Sequence, residues 1–162
     1  MPKHNLNNQL EKIVVNTGIG RFSSQGEFEN KILPDLIKEI SLITGQKPTI
    51  RAAKKSISSF KVRTGTIVGL KVTLRSKKMN DFLTKFVKIV LPRVRDFRGI
   101  NITSVDKNGN LTIGIKEQLV FPEISPESSK VNFGLEITLV TKIKKQEQAV
   151  GIYKAIGIPF KK

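Results

Sequence analysis

Apolar residues recur along the chain in two periods, and the switches between them outline the elements. Leu10–Asn16 holds Ile13, Val14 and Val15 and predicts a strand, with Thr17-Gly18-Ile19-Gly20 as the turn after it. Phe28, Ile32, Leu36, Ile40 and Ile43, with Leu33 and Ile37 beside them, repeat at three- and four-residue spacing and predict a helix. Pro34 sits inside that pattern, so the helix either begins near it or kinks there, and Gly45 suits the C-terminal cap. A strand is expected over Pro48–Ala53, then a long exposed loop over Ser56–Thr66. In Val68–Arg75 the alternation is clearest. Val68, Leu70, Val72 and Leu74 point to a core; Gly69, Lys71, Thr73 and Arg75 form a polar, basic platform. Met79, Phe82, Leu83, Phe86, Val87 and Val90 make the best helical stripe, which Pro92 should end.

An irregular basic segment, Arg93–Gly99, comes next. Ile100–Val105 and Leu111–Lys116 flank Asp106-Lys107-Asn108-Gly109-Asn110, whose Asn-Gly step predicts a hairpin. Phe121–Pro126 opens a loop, Phe133–Thr141 alternates as a strand, and a last helix over about Lys145–Ile156 should pack Val150, Tyr153 and Ile156. Strands and helices interspersed in this way predict an α+β fold: a mostly antiparallel sheet with helices packed on one face and long loops. No linker, repeat or low-complexity tract interrupts residues 1–162, which are expected to form a single domain.

Charge changes this picture more than composition does. The formal net charge is +16, and residues 45–98 carry fifteen of the 29 cations against two acids, Asp81 and Asp96. Before residue 45 cations and acids balance at five each. Plain surfaces mix the two signs, whereas a concentration of one sign is relieved by a polyanion, so a nucleic acid is the expected partner. There is no cysteine and one histidine, His4, in a polar N-terminal tail. Disulfides, thiolate metal sites and a serine–histidine–acid triad are therefore not expected, nor are paired catalytic carboxylates, since acids are scarce and scattered. No cofactor, catalytic residue or small-molecule substrate is assigned. No apolar run approaches the roughly 20 residues that span a bilayer, and the N-terminus has neither an apolar signal core nor an Arg- and Ser-rich transit pattern. A membrane surface is the second-ranked partner for such a basic region, and no membrane is assigned.

Three constellations read better as structure. Gly18-Ile19-Gly20 resembles the start of a dinucleotide fingerprint, but Ser23 takes the third glycine position. Asp106, Asn108, Asn110 and Glu117 have calcium-loop spacing, yet Leu111 stands where the loop needs glycine. Phe60 and Phe97 lie in the basic region and could stack on unpaired bases, although single phenylalanines are more often core.

Leu42-Ile43-Thr44-Gly45-Gln46-Lys47-Pro48, Ala53-Lys54-Lys55-Ser56-Ile57, Phe60-Lys61-Val62-Arg63, Gly69–Arg75 and Leu91–Gly99 together resemble the L-five family of large-subunit ribosomal proteins, bacterial type. The resemblance continues through Gly109-Asn110, Gly114–Gln118, Phe121-Pro122-Glu123 and Gly157-Ile158-Pro159-Phe160. It implies a non-enzymatic constituent of the large subunit that binds 5S ribosomal RNA and helps attach it to large-subunit RNA in the central protuberance. It implies a loop near the elbow of peptidyl-site (P-site) transfer RNA, and a bridge to a protein of the small-subunit head. Family 5S contacts match Asn16, Gln46, Thr73 and Arg75, with Lys47 adjoining. Arg51, Lys54, Lys55, Arg93, Arg95 and Arg98 are expected on other ribosomal RNA, and Lys61, Arg63, Thr64 and Gly65 at the transfer RNA. The implied location is the ribosome, in a bacterial-type cytoplasm, a plastid or a mitochondrion. Family members add an N-terminal helix where only nine residues precede Leu10 here, and Glu136 replaces their usual aspartate. Against this stand a free RNA chaperone or regulator, which would not sediment with large subunits, and an RNA-acting enzyme, which would need an acid–base pair or metal cluster.

Overall fold

In the computed structural model, which describes residues 9–161, five strands join in one sheet in the order β2-β3-β1-β5-β4. They are β1 (Leu10–Gly18), β2 (Thr49–Ala52), β3 (Ile67–Leu74), β4 (Leu111–Ile115) and β5 (Leu135–Thr141). Helices α1 (Leu33–Thr44), α2 (Ser76–Lys85), the single turn α3 (Leu91–Arg93) and α4 (Gln146–Ile156) come between or after them, which is the expected α+β arrangement with an antiparallel sheet. Ile13, Val14 and Val15 are all buried. Such a continuous apolar run suits β1, the central strand in the order.

The chain forms two compact units. Among the described residues, one takes 9–14, Thr73–Ile115 and 136–161; the other takes Val15–Val72 and Lys116–Leu135. In the first, Met79, Phe82, Leu83, Phe86 and Val90 are buried as their periodicity requires. Tyr153 is fully buried on α4, and its hydroxyl lies 2.7 Å from the Gly109 carbonyl and 3.0 Å from that of Leu139. Burial pushes its ionisation well above the ordinary tyrosine value. In the second, Leu33, Leu36, Ile40 and Ile43 of α1 are buried with Phe22, Phe28, Phe121 and Phe133.

Both prolines in the helical patterns behave alike. Phe28–Ile32 is a π-helical turn that runs into α1 at Leu33-Pro34, and Phe86–Val90 is a second that runs into α3 at Leu91-Pro92. In each, the leucine N–H reaches back to the phenylalanine carbonyl five residues earlier. Proline in a helix loses one ladder bond and its ring meets the carbonyl four residues back. A wider turn moves that carbonyl, so the helix passes through Pro92 to Arg93 instead of stopping at it, contrary to the sequence expectation.

The expected hairpin is also half replaced. Ile102–Ser104 is a 3-10 turn, and Ile100 pairs with Phe160: the Ile100 N–H donates to the Pro159 carbonyl and the Lys161 N–H to that of Ile100. Only Val105 bridges Leu111. The Asp106–Asn110 turn itself is present, closed by the Asp106 N–H on the Asn110 carbonyl and by both Asp106 carboxylate oxygens on Asn110. At the other end of the chain, His4 lies outside the described residues.

Candidate nucleic-acid interface

The hairpin of β2 and β3 belongs mainly to the second unit. Thr49 faces Lys71, Ile50 faces Leu70 and Arg51 faces Gly69; the register then shifts so that Ala52 faces Ile67. All four β2 residues are exposed, as befits the end of the sheet order. Gly69 matters here because a Cβ would lie 3.2 Å from the Thr17 carbonyl and 3.8 Å from Arg51 Cβ. The first distance is tight and the second is ordinary contact, so a side chain here would crowd the Thr17 carbonyl of β1.

The segment read from sequence as a loop is exposed but ordered. Ala53 and Thr66 continue the pairing, the Gly65 N–H donates to the Ala53 carbonyl, and Ser56 accepts from the Thr64 N–H at 2.9 Å. Ile57 and Val62 exchange both backbone hydrogen bonds. Ser58–Phe60 turns the tip, and Lys61 closes it in the left-handed region at φ 52°. The result is a hairpin arm carrying exposed Lys54, Lys55, Lys61, Arg63, Thr64 and Gly65. Phe60 at its end is 74% exposed, which overturns the core reading; Phe97 is half-buried.

Asn16 and Gln46 are half-buried in the same unit, and Lys47 is exposed. Gly45, at φ 69°, ends α1 with its N–H on the Ser41 carbonyl. The Thr44 hydroxyl, 2.7 Å from the Ile40 carbonyl, accepts the Gln46 N–H at 3.3 Å. The backbone under Gln46 is therefore fixed by a helix end, not by a loose connection.

In the first unit Thr73 is half-buried near the end of β3, between buried Val72 and Leu74. Arg75 is the extended residue before α2, and Ser76 turns the chain at φ 50°. The Arg75 guanidinium lies 3.7 Å from the Glu11 carboxylate, both well exposed. A hydrogen bond and the charge of Lys12, then Arg75, hold the Glu11 carboxyl below its ordinary range. Arg93, Arg95 and Arg98 are exposed around a turn with Asp96 at φ 52°. Gly99, at φ 98°, lets the backbone pass Phe160 and Lys161, where a Cβ would come within 2.9 Å. Sequence reading assigned no contact to Lys77, Lys78 and Lys88. They are exposed on the helical run opposite its buried stripe, and the helical period alone could have singled them out.

Acids gather elsewhere in the second unit. Glu117, Glu123 and Glu127 are exposed in Lys116–Lys130, and Glu39 on α1 accepts from the Ser129 hydroxyl at 3.1 Å. Gln118, buried, donates to Ser129 and to the Val131 carbonyl and accepts the Phe133 N–H at 3.0 Å. Among the described residues no cluster of His, Cys, Asp or Glu could hold a metal, and no helix is long and apolar enough to cross a membrane.

Comparison with known proteins covers almost all of the chain. A family model described as Ribosomal protein L5 matches residues 8–63, and a second, describing the C-terminus of the same ribosomal family, matches residues 67–160. The chain is similar to Large ribosomal subunit protein uL5 of Pseudothermotoga lettingae, with 51% identity over 95% of this chain and 82% of that protein. The protein of the same name from Malacoplasma penetrans is 49% identical over 95% and 80%, and that from Thermus aquaticus 47% over 95% and 82%.

Proposed function

Because the chain belongs to the ribosomal protein L5 family, whose members are structural and non-enzymatic parts of the large ribosomal subunit, we propose that it holds 5S ribosomal RNA there and helps attach it to large-subunit RNA. The observation that carries this reading is the placement of charge. Fifteen cations against two acids fall within residues 45–98, and most of them stand exposed on the β2–β3 arm, on α2 and around Arg93–Arg98. Phosphates supply most of the affinity in such contacts, and rigidly held polar side chains supply the register.

Asn16, Gln46, Lys47, Thr73 and Arg75 are assigned to 5S RNA. Each stands on or beside a strand or a capped helix end, so little chain entropy is lost on binding. Arg75 offers a planar fork for phosphate or a guanine edge. Arg51, Lys54, Lys55, Arg93, Arg95 and Arg98 are assigned to neighbouring ribosomal RNA. The arm tip, with Lys61, Arg63, Thr64 and Gly65, is assigned to P-site transfer RNA. Exposed Glu117, Glu123 and Glu127 would repel phosphate and suit a basic protein of the small-subunit head.

The test is 5S RNA binding by Arg75→Ala and Thr73→Val. Arg75→Ala should lose roughly 1–3 kcal/mol. Both variants should keep the wild-type circular dichroism, since neither side chain belongs to the core. Unchanged binding in both would remove the strand-end assignment.

A further inference from the structure

The tip of the β2–β3 arm carries a feature that charge does not explain. Phe60 is 74% exposed, and Ile57, 47% exposed, stands in the same turn. A single exposed apolar side chain is ordinary on a protein surface. Here the backbone beneath it is built with care. Ile57 and Val62 exchange hydrogen bonds of 2.9 and 3.2 Å, the Phe60 N–H donates to the Ile57 carbonyl, and the Lys61 N–H donates to that of Ser58. An ordered turn thus holds an uncovered ring in water.

Its surroundings select the partner. Lys54, Lys55, Lys61 and Arg63 are exposed, and the chain has no acid between Glu39 and Asp81. An acidic protein would answer the cations but would need an apolar pocket for the ring. RNA answers both within one nucleotide, which pairs a phosphate with a flat base face. A regular duplex covers its base faces by stacking, so the ring requires a base whose face is open, at a loop or a corner.

We propose that Phe60 stacks on an exposed nucleobase, with Lys61 and Arg63 on the flanking phosphates. This rests on the reading of the arm as the part that meets transfer RNA, and adds to that reading an aromatic contact with a base.

The chain has no tryptophan, so Phe60→Trp introduces a single indole. Titrated at low salt with a transfer-RNA transcript, its fluorescence should be quenched; a blunt, fully paired RNA duplex should quench it much less. Phe60→Leu, apolar but not aromatic, should weaken transfer-RNA binding roughly tenfold relative to Phe60→Trp, the scale of one base–aromatic stack. Equal quenching by both RNAs, or wild-type affinity in Phe60→Leu, overturns the proposal. If Lys61→Ala with Arg63→Ala weakens binding while Phe60→Leu does not, the arm still meets transfer RNA but stacking is refuted. If neither variant changes binding, the assignment of the arm falls as well. Ribosomes with Phe60→Ala that keep transfer RNA but lose subunit association would place the ring against protein and also overturn the proposal.

Discussion

Gly109 shows how much one residue can be asked to do. It sits at φ 80°, and a Cβ there would run into the Ile143 carbonyl and approach Thr141 and Ala149 within 3.0 Å. Its own carbonyl lies 2.7 Å from the buried Tyr153 hydroxyl. Gly109→Ala should therefore cost about 3 kcal/mol or more, by strain and by displaced neighbours, in a urea unfolding series. A loss below about 1 kcal/mol would show that the turn can relax. Glu39 is a second case. Burial raises its carboxyl above the ordinary 4.5, against the hydrogen bonds from Ser129 and Gln118 that lower it. The folded state then keeps this proton at a pH where the unfolded chain has released it. Stability from this group rises as pH falls through the folded value, and levels off below the unfolded one. Glu39→Gln should accordingly gain on the wild type at pH 7, with the gain shrinking toward pH 4. Thermal melts at both values check the sign, and a gain that grows on acidification would contradict it.

At the level of elements, sequence and structure part company for physical reasons. β3 and β5 were legible because alternation leaves little choice of face: Leu70, Val72 and Leu74, and Leu135, Ile137 and Leu139, are all buried. The stripes of α1 and α2 were legible for the same reason at a different period. The continuation through Pro92 was not, because a π turn leaves no clear mark in side-chain spacing. Ile100–Val105 failed because its strand partner lies far along the chain, at Phe160. The arm beyond β2 and β3 was legible as exposed and basic, not as paired, since Ser56, Thr64 and backbone groups make its cross-strand bonds where no apolar alternation announces them. That construction carries a prediction. Replacing Ile57–Val62 by Asn-Gly closes a shorter hairpin of a favoured type, so stability should change by less than about 1 kcal/mol. Equilibrium unfolding measures this, and a larger loss would mean that the tip supports the core.

For the molecule as a whole the charge distribution sets the energetics of its assembly. If 5S RNA is held chiefly through phosphates, log affinity should fall linearly with log salt, with a slope steeper than about −4. A flat dependence from low to physiological salt would leave the fifteen clustered cations without that role. Each compact unit also contains one copy of the same local sentence: Phe28 to Leu33-Pro34 in one, Phe86 to Leu91-Pro92 in the other. Pro34 and Pro92 bring no N–H to the helical ladder. Deuterium uptake should register these junctions as seams. Amides of Phe28–Ile32 and Phe86–Val90 should exchange by small local openings, while those deeper in α1 and α2 wait for larger ones. A helix that looks continuous would then open in two blocks, so each unit can let one helical turn fray while the rest of that helix stays closed.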